Sequence, residues 1–218
     1  MNIVDSKRGF VENFTLFQLL IIPIGVAINY VGGNLAILLK LPLFLDVIGT
    51  CFASLVAGPW IGAFTGILTN SMIGITQPMA FMSIHVQIVI ALTVAALAHF
   101  GMLNRVWKFA LSCLILVIMT LCASLPTQIF LLGGVTGSMT DIVTAAVVRS
   151  GLPMWMGVAA TQFVSNIFDK SSALVIAFMI ARSMSPRFLS KLKNGYIYMA
   201  MSKKVTSHVK TSDPDETK

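Results

Sequence analysis

The segment Lys40–Asn70, KLPLFLDVIGTCFASLVAGPWIGAFTGILTN, decides the fold. It is almost wholly apolar and long enough for two membrane passes, and Gly58-Pro59-Trp60 interrupts it in the middle. Proline disfavours helix at the residue before it and suits a helix's first turn. One helix is therefore expected to end near Ala57 and the next to begin near Pro59. Gly58, Gly62 and Gly66 recur every fourth residue with Ala63 beside them, a spacing that lets a neighbouring helix backbone come close. One carboxylate, Asp46, sits in the first pass, and one amide, Asn70, near the end of the second.

Working outward, 56% of the chain is hydrophobic, 11% is charged and the mean hydropathy is +0.88. A soluble domain of this length cannot hide that much apolar surface. At roughly 20 apolar residues per span, the chain has room for about six spans. The fold expected is an all-α membrane protein of six transmembrane helices, with no separate catalytic domain. The first helix is expected over 14–30, with Pro23 as a kink site, and Val31–Leu41 as a segment folding back toward the membrane, too short to span. The second is expected over 43–57, the third over 59–75, then a turn at Thr76-Gln77-Pro78. The fourth covers about 82–100, the fifth about 109–132 with Pro126 as a kink, and the sixth about 154–181. A Gly-, Ser- and Thr-rich connection runs through 133–153. Residues 1–12 form a polar lead, 13–184 the membrane domain, and 185–218 a basic tail whose Tyr196–Met201 portion suits a membrane surface and whose end is expected to be disordered. The N-terminal basic residues and apolar run have the form of a signal peptide without a small-x-small cleavage site, and are read as a retained first helix.

Net charge is +7, and its placement matters more than its sum. Lys7, Arg8, Arg105, Lys108 and the basic residues from Arg182 onward fall on one side if both termini are cytoplasmic, with Lys40 and Arg149 on the other. That is the positive-inside bias, not an interleaved basic and aromatic nucleic-acid patch. The long connections then lie outside, and a site with loop-borne lids should open outward. Cys51, Cys113 and Cys122 have no metal or disulfide spacing and read as small apolar residues. HExxH, GxSxG and Walker A motifs are missing, so no catalytic residues, metal or cofactor are expected.

Polar groups at membrane depth are functional candidates. Gln162, Asn166 and Asp169 share one face of the last helix, with Lys170 on its flank. Asp169 and Lys170 read slightly better as a self-neutralising pair that glues helices, and Gln162, nearer the outside, as a site residue. Asp46 is balanced between a contact for a cationic or hydroxylated ligand and a helix cap. Asn70 suits interhelical hydrogen bonding as well as a ligand. His85 sits below an outer connection, though a lone histidine is more often a satisfied buried group. Thr120, Ser124 and Gln128 repeat every four residues; such hydroxyls often bond to their own helix, and Gln128 is the outermost. Trp155 suits the membrane interface or stacking on a planar ligand. With Asn34 of the folded-back segment, the candidate ligand contacts are Asn34, Asp46, Asn70, His85, Gln128, Trp155, Gln162 and Asn166.

Three segments in order, KLPLFLDVIGT, GPWIGAFTGILTN and NIFDKSSALVIAF, together with six helices and both ends inside, resemble the substrate-binding S components of energy-coupling factor vitamin transporters. The resemblance covers about residues 10–185. It implies a non-catalytic, multi-pass subunit of a bacterial cell membrane that binds a vitamin from outside under closing outer loops. Such a subunit docks on a membrane scaffold (T) subunit carrying two ABC-type ATPases. Family members often contact the scaffold through AxxxA on the first helix. Here the corresponding stretch is Gly25-Val26-Ala27-Ile28-Asn29, which makes Gly25, Ala27 and Asn29 the docking candidates. Vitamin B6 is the first choice of ligand; cobalamin, hydroxymethylpyrimidine or a queuosine precursor are the others. The rival readings are a stand-alone small-molecule carrier, a membrane enzyme and a ligand-free membrane adaptor.

Overall fold

A computed structural model describes residues 16–189, apart from 42, 104, 137 and 138, together with Leu192. The polar lead, its basic pair Lys7-Arg8 and the tail segment Tyr196–Met201 lie outside the described residues. Every regular element among the described residues is helical: α1 (Leu16–Leu38), α2 (Ile48–Ala57), α3 (Pro59–Thr76), α4 (Met79–Met82), α5 (Ile84–His99), α6 (Val106–Pro126) continuing into a π-helical turn (Thr127–Leu131), α7 (Thr140–Arg149), α8 (Met154–Ser183) and α9 (Pro186–Leu189). Three of these are long and apolar enough to cross a membrane: Leu16–Leu38, Val106–Leu131 and Met154–Ser183. Rows of large apolar side chains point outward, such as Phe64, Leu68 and Met72 on α3 and Leu111, Leu114 and Ile118 on α6. Patches of that size are unusual on a water-facing surface. The chain is an all-helical protein whose architecture suits a membrane.

The bundle is built around α2. All ten of its residues are buried, and α1, α3, α5 and α8 pack against it. At 1.5 Å per residue such a helix is about 15 Å long, half a hydrocarbon core. The segment before it, 43–47, is irregular rather than helical, with Leu45 at a φ of 51°. This corrects the expected helix over 43–57. Irregular backbone at that depth survives only where its amides find partners inside the protein, and here each comes from another helix. Asp169 of α8 accepts the N–H of Phe44 at 3.2 Å and of Leu45 at 2.8 Å. Gln87 of α5 donates to the Asp46 carbonyl at 3.2 Å. Asn29 of α1 accepts the Gly49 N–H at 2.6 Å, closing the first turn of α2 in place of a local cap, since Val47 at the N-cap makes no side-chain bond. Asp46 therefore does not cap α2.

Small residues let these helices approach. Gly25 of α1 lies against Gly49 of α2. Gly62 lies against Ser54 across the α2–α3 hairpin, and Gly66 against Gln87. The hairpin turns at Gly58, whose φ of 101° belongs to glycine, and Pro59 opens α3 as expected. The small face of α8, Ala173, Ala177 and Ala181, is fully buried.

Two other expectations are corrected. Residues 31–38 of the folded-back segment are the last two turns of α1, which runs unbroken through Gly32-Gly33 to Leu38. A glycine pair costs only about 1 kcal/mol per residue in a helix, and proline comes only at position 42. The connection 133–153 contains α7, packed on α8 where Gly157 makes room for Val148. Its serine and threonine content masks an apolar run, Ile142 to Val148. The kink expected at Pro126 takes the form of the π turn. Proline has no N–H to give the carbonyl four residues back, and the widened turn follows immediately.

Candidate functional site

The polar residues of the bundle converge at the end that holds the C-termini of α1 and α3 and the π turn. Behind them lies a network of buried amides and hydroxyls. Asn29 donates to Thr50 Oγ1 at 2.9 Å and Thr69 Oγ1 at 3.0 Å. Thr50 donates to Gln87 Oε1 at 2.9 Å, Gln87 to Asn70 Oδ1 at 3.1 Å, and Asn70 to the Ala80 carbonyl at 3.1 Å. Five elements are thereby tied together with their buried polar atoms paired, the condition under which such a network rigidifies a core.

In front of the network is a cavity of about 380 Å³, within the usual range for a small-molecule site. Its walls are Tyr30, Gly33, Asn34 and Ile37 of α1, the irregular segment through Asp46, the end of α3 with Asn70, and Gln128, Leu132 and Met139 opposite. A recess of about 80 Å³ adjoins it, sharing Phe44, Asp46, Asn70, Ser83 and Gln128 and reaching down to Ser124, Gln162, Asn166 and Lys170. The walls of the larger chamber are mainly apolar and the polar groups gather toward the recess, as in most small-molecule sites.

Six of the expected contacts, Asn34, Asp46, Asn70, Gln128, Gln162 and Asn166, line one or both chambers. Asn34 is exposed and bonds the Tyr30 carbonyl at 2.7 Å. Asn166 is buried and donates to the carbonyl and the Oε1 of Gln162 at 2.8 and 3.2 Å. His85 and Trp155 line neither. His85 Nε2 lies 3.0 Å from the Ala123 carbonyl and 3.0 Å from Thr127 Oγ1. A carbonyl only accepts, so Nε2 carries hydrogen and ties α5 to the end of α6, where Thr127 N–H bonds Ser124 instead of Ala123. Trp155 is 58% exposed at the start of α8, the interfacial alternative.

The docking candidates divide. Gly25 and Asn29 turn inward, to α2 and to the buried network; Ala27 alone of the three faces outward. Both are committed inside the bundle, so a scaffold-contact patch built on all three is not what α1 presents. Asp169 and Lys170 form a buried ion pair, the gluing arrangement, with Lys170 Nζ 5.8 Å from the Phe44 ring centre.

Sequence reasoning missed the apolar wall from α1, because it read 31–41 as irregular. It also missed Ser124. Thr120 bonds back to the Leu116 carbonyl at 2.7 Å as threonines in helices do, whereas Ser124 Oγ has no partner among the described residues. The same holds for Gln128 Oε1. Both are more than nine-tenths buried and line the recess. Among the described residues no cluster of three or more His, Cys, Asp or Glu is placed to hold a metal. Compared with protein-family models, curated proteins and solved structures, the chain matches none.

Proposed function

We propose that this protein is a substrate-binding membrane subunit that captures a small micronutrient and takes part in no bond-making chemistry itself. The observation that carries this reading is the pair of unpartnered polar atoms, Ser124 Oγ and Gln128 Oε1, facing a cavity lined by polar groups from several helices. An unmade buried hydrogen bond costs about 1–3 kcal/mol, and a ligand that supplies the partners recovers it. In this reading the chain makes six membrane passes with both termini cytoplasmic, in a bacterial cell membrane. The cavity end, which carries Lys40 and Arg149, then faces outside. Uptake is driven by partners of the energy-coupling factor type: a membrane scaffold subunit and two ABC-type ATPases. The ligand of first choice is a vitamin B6 compound, whose ring and polar substituents suit an apolar chamber with a polar floor.

Native mass spectrometry of gently extracted protein tests this. A bound small molecule should be retained through purification and released on unfolding. Protein that carries none, and binds no member of a B-vitamin panel saturably, would count decisively against capture.

The near edge of the cavity has its own prediction. Asp141 in the first turn of α7 accepts the Thr136 N–H at 3.0 Å and the Thr136 hydroxyl at 2.7 Å, and Thr136, Met139 and Ile142 line the chamber. Asp141→Ala should loosen this edge and raise the ligand dissociation rate about tenfold, the equivalent of one charge-assisted hydrogen bond. Stopped-flow displacement measures it, and an unchanged rate would remove this edge from the gate.

A further inference from the structure

The recess carries more information about the ligand than its size. Its ionisable groups are Asp46 and Lys170, with Asp169 behind them. Lys170 is committed to Asp169, and that carboxylate is also the acceptor for Phe44 and Leu45. The pair sums to no charge. Asp46 is not so committed. It lines both chambers, and beyond its own backbone amide no group among the described residues donates to its carboxylate. Gln87, the nearest amide hub, donates to the Asp46 carbonyl instead. Near Asp46, Gln128 Oε1 can only accept, and the Ser124 hydroxyl has both its donor and its acceptor capacity free. The floor of the cavity therefore offers one carboxylate to which no other side chain among the described residues donates, beside an unpartnered hydroxyl and an unpartnered amide oxygen.

Taking the capture reading as its base, we propose that the recess selects a ligand by a cationic, donor-rich head: an ammonium, amidinium or protonated amino-heterocycle bound to Asp46, Ser124 and Gln128. The apolar chamber takes the uncharged body of the same molecule. A recess of about 80 Å³ holds a substituent of a few heavy atoms. A carboxylate or phosphate placed there would meet the Asp46 carboxylate, so anionic ligands are disfavoured by like-charge repulsion.

Equilibrium binding to the full chain in nanodiscs tests this with matched probes that differ only in the head. Pyridoxamine, pyridoxine and pyridoxic acid form one series; the aminomethyl and hydroxymethyl forms of an aminopyrimidine form another. In whichever series binds, the amine should bind about tenfold tighter than the alcohol, the increment of one charge-assisted hydrogen bond, and the acid should not bind measurably. Asp46→Asn should abolish the preference for the amine over the alcohol. Gln128→Leu should weaken the amine as well, and each variant's melting temperature reports whether it is folded. Equal binding of amine and alcohol, or a preference that survives Asp46→Asn in folded protein, would overturn the cationic head and leave capture standing. No saturable binding by either series or by thiamin would overturn both.

Discussion

Gly49→Ala is expected to be the most damaging single methyl group that can be added to this protein. A Cβ at Gly49 would overlap the Gly25 carbonyl oxygen and lie 2.6 Å from the Gly25 carbonyl carbon and 2.8 Å from its Cα. All three atoms are backbone of α1, so no side chain can rotate away. The helices must separate, and separation pulls Asn29 from the Gly49 N–H, since that bond spans the same crossing. Overpacking alone costs about 1–3 kcal/mol, and loss of a buried amide's partner adds about 1–3 kcal/mol. The sum is a large part of the stability of an ordinary domain. Gly25→Ala is the internal comparison. Its Cβ would meet the Thr65 methyl at 2.6 Å and the Gly49 carbonyl at 3.0 Å, and a side chain yields more readily than backbone. Thermal unfolding of the purified variants should rank wild type above Gly25→Ala and Gly25→Ala above Gly49→Ala, with outward-facing Ala27→Leu close to wild type. Equal tolerance of the two glycine replacements would mean the helices do not cross where described.

Asp169→Leu should be comparably severe by a different route. It leaves Lys170, which is 4% exposed, as a buried cation without its ion-pair partner, and it strips the acceptor from two amides of the irregular segment 43–47. Breaking one side of a buried ion pair costs about 3–5 kcal/mol. Asp169→Asn keeps an oxygen for the amides and loses only the charge, so it should be milder. Combined with Lys170→Met it should recover most of the loss, because removing both charges leaves nothing unpaired. Unfolding midpoints of the four proteins, wild type included, make the test. If the double variant is no better than Asp169→Leu, the ion pair has a role beyond holding segment 43–45 in place.

Much of this could be read from local chemistry. Pro59 after Gly58 fixes the α2–α3 turn because the constraint is internal to three residues. The shared face of Gln162 and Asn166 follows from helical spacing, and both reach the cavity, as does Gln128. What local chemistry hides is partnership at long range. Asp46 reads as a cap until Asn29, seventeen residues away, is seen in that role. Segment 43–47 reads as helix because its residues are apolar; its irregular form is held by Asp169, more than a hundred residues on, and by Gln87. His85 is drawn away from the cavity by the Ala123 carbonyl, which the π turn after Pro126 frees from the helix ladder. Gly25 and Asn29 read as an outer docking patch for the same reason: their partners lie on α2 and α3, not on the lipid face.

The brevity of α2 bears on how the chain is made. Ten residues are too few to be held in a bilayer as an independent segment, and α2 has no face intended for lipid. In a membrane it would enter together with α3 as one hairpin, and the Phe44 and Leu45 amides that precede it would wait for α8, made later in the chain, to deliver Asp169. Until then the growing chain holds an irregular segment with unmet amides. Its maturation is therefore expected to be post-translational in its last step and sensitive to truncation before residue 169.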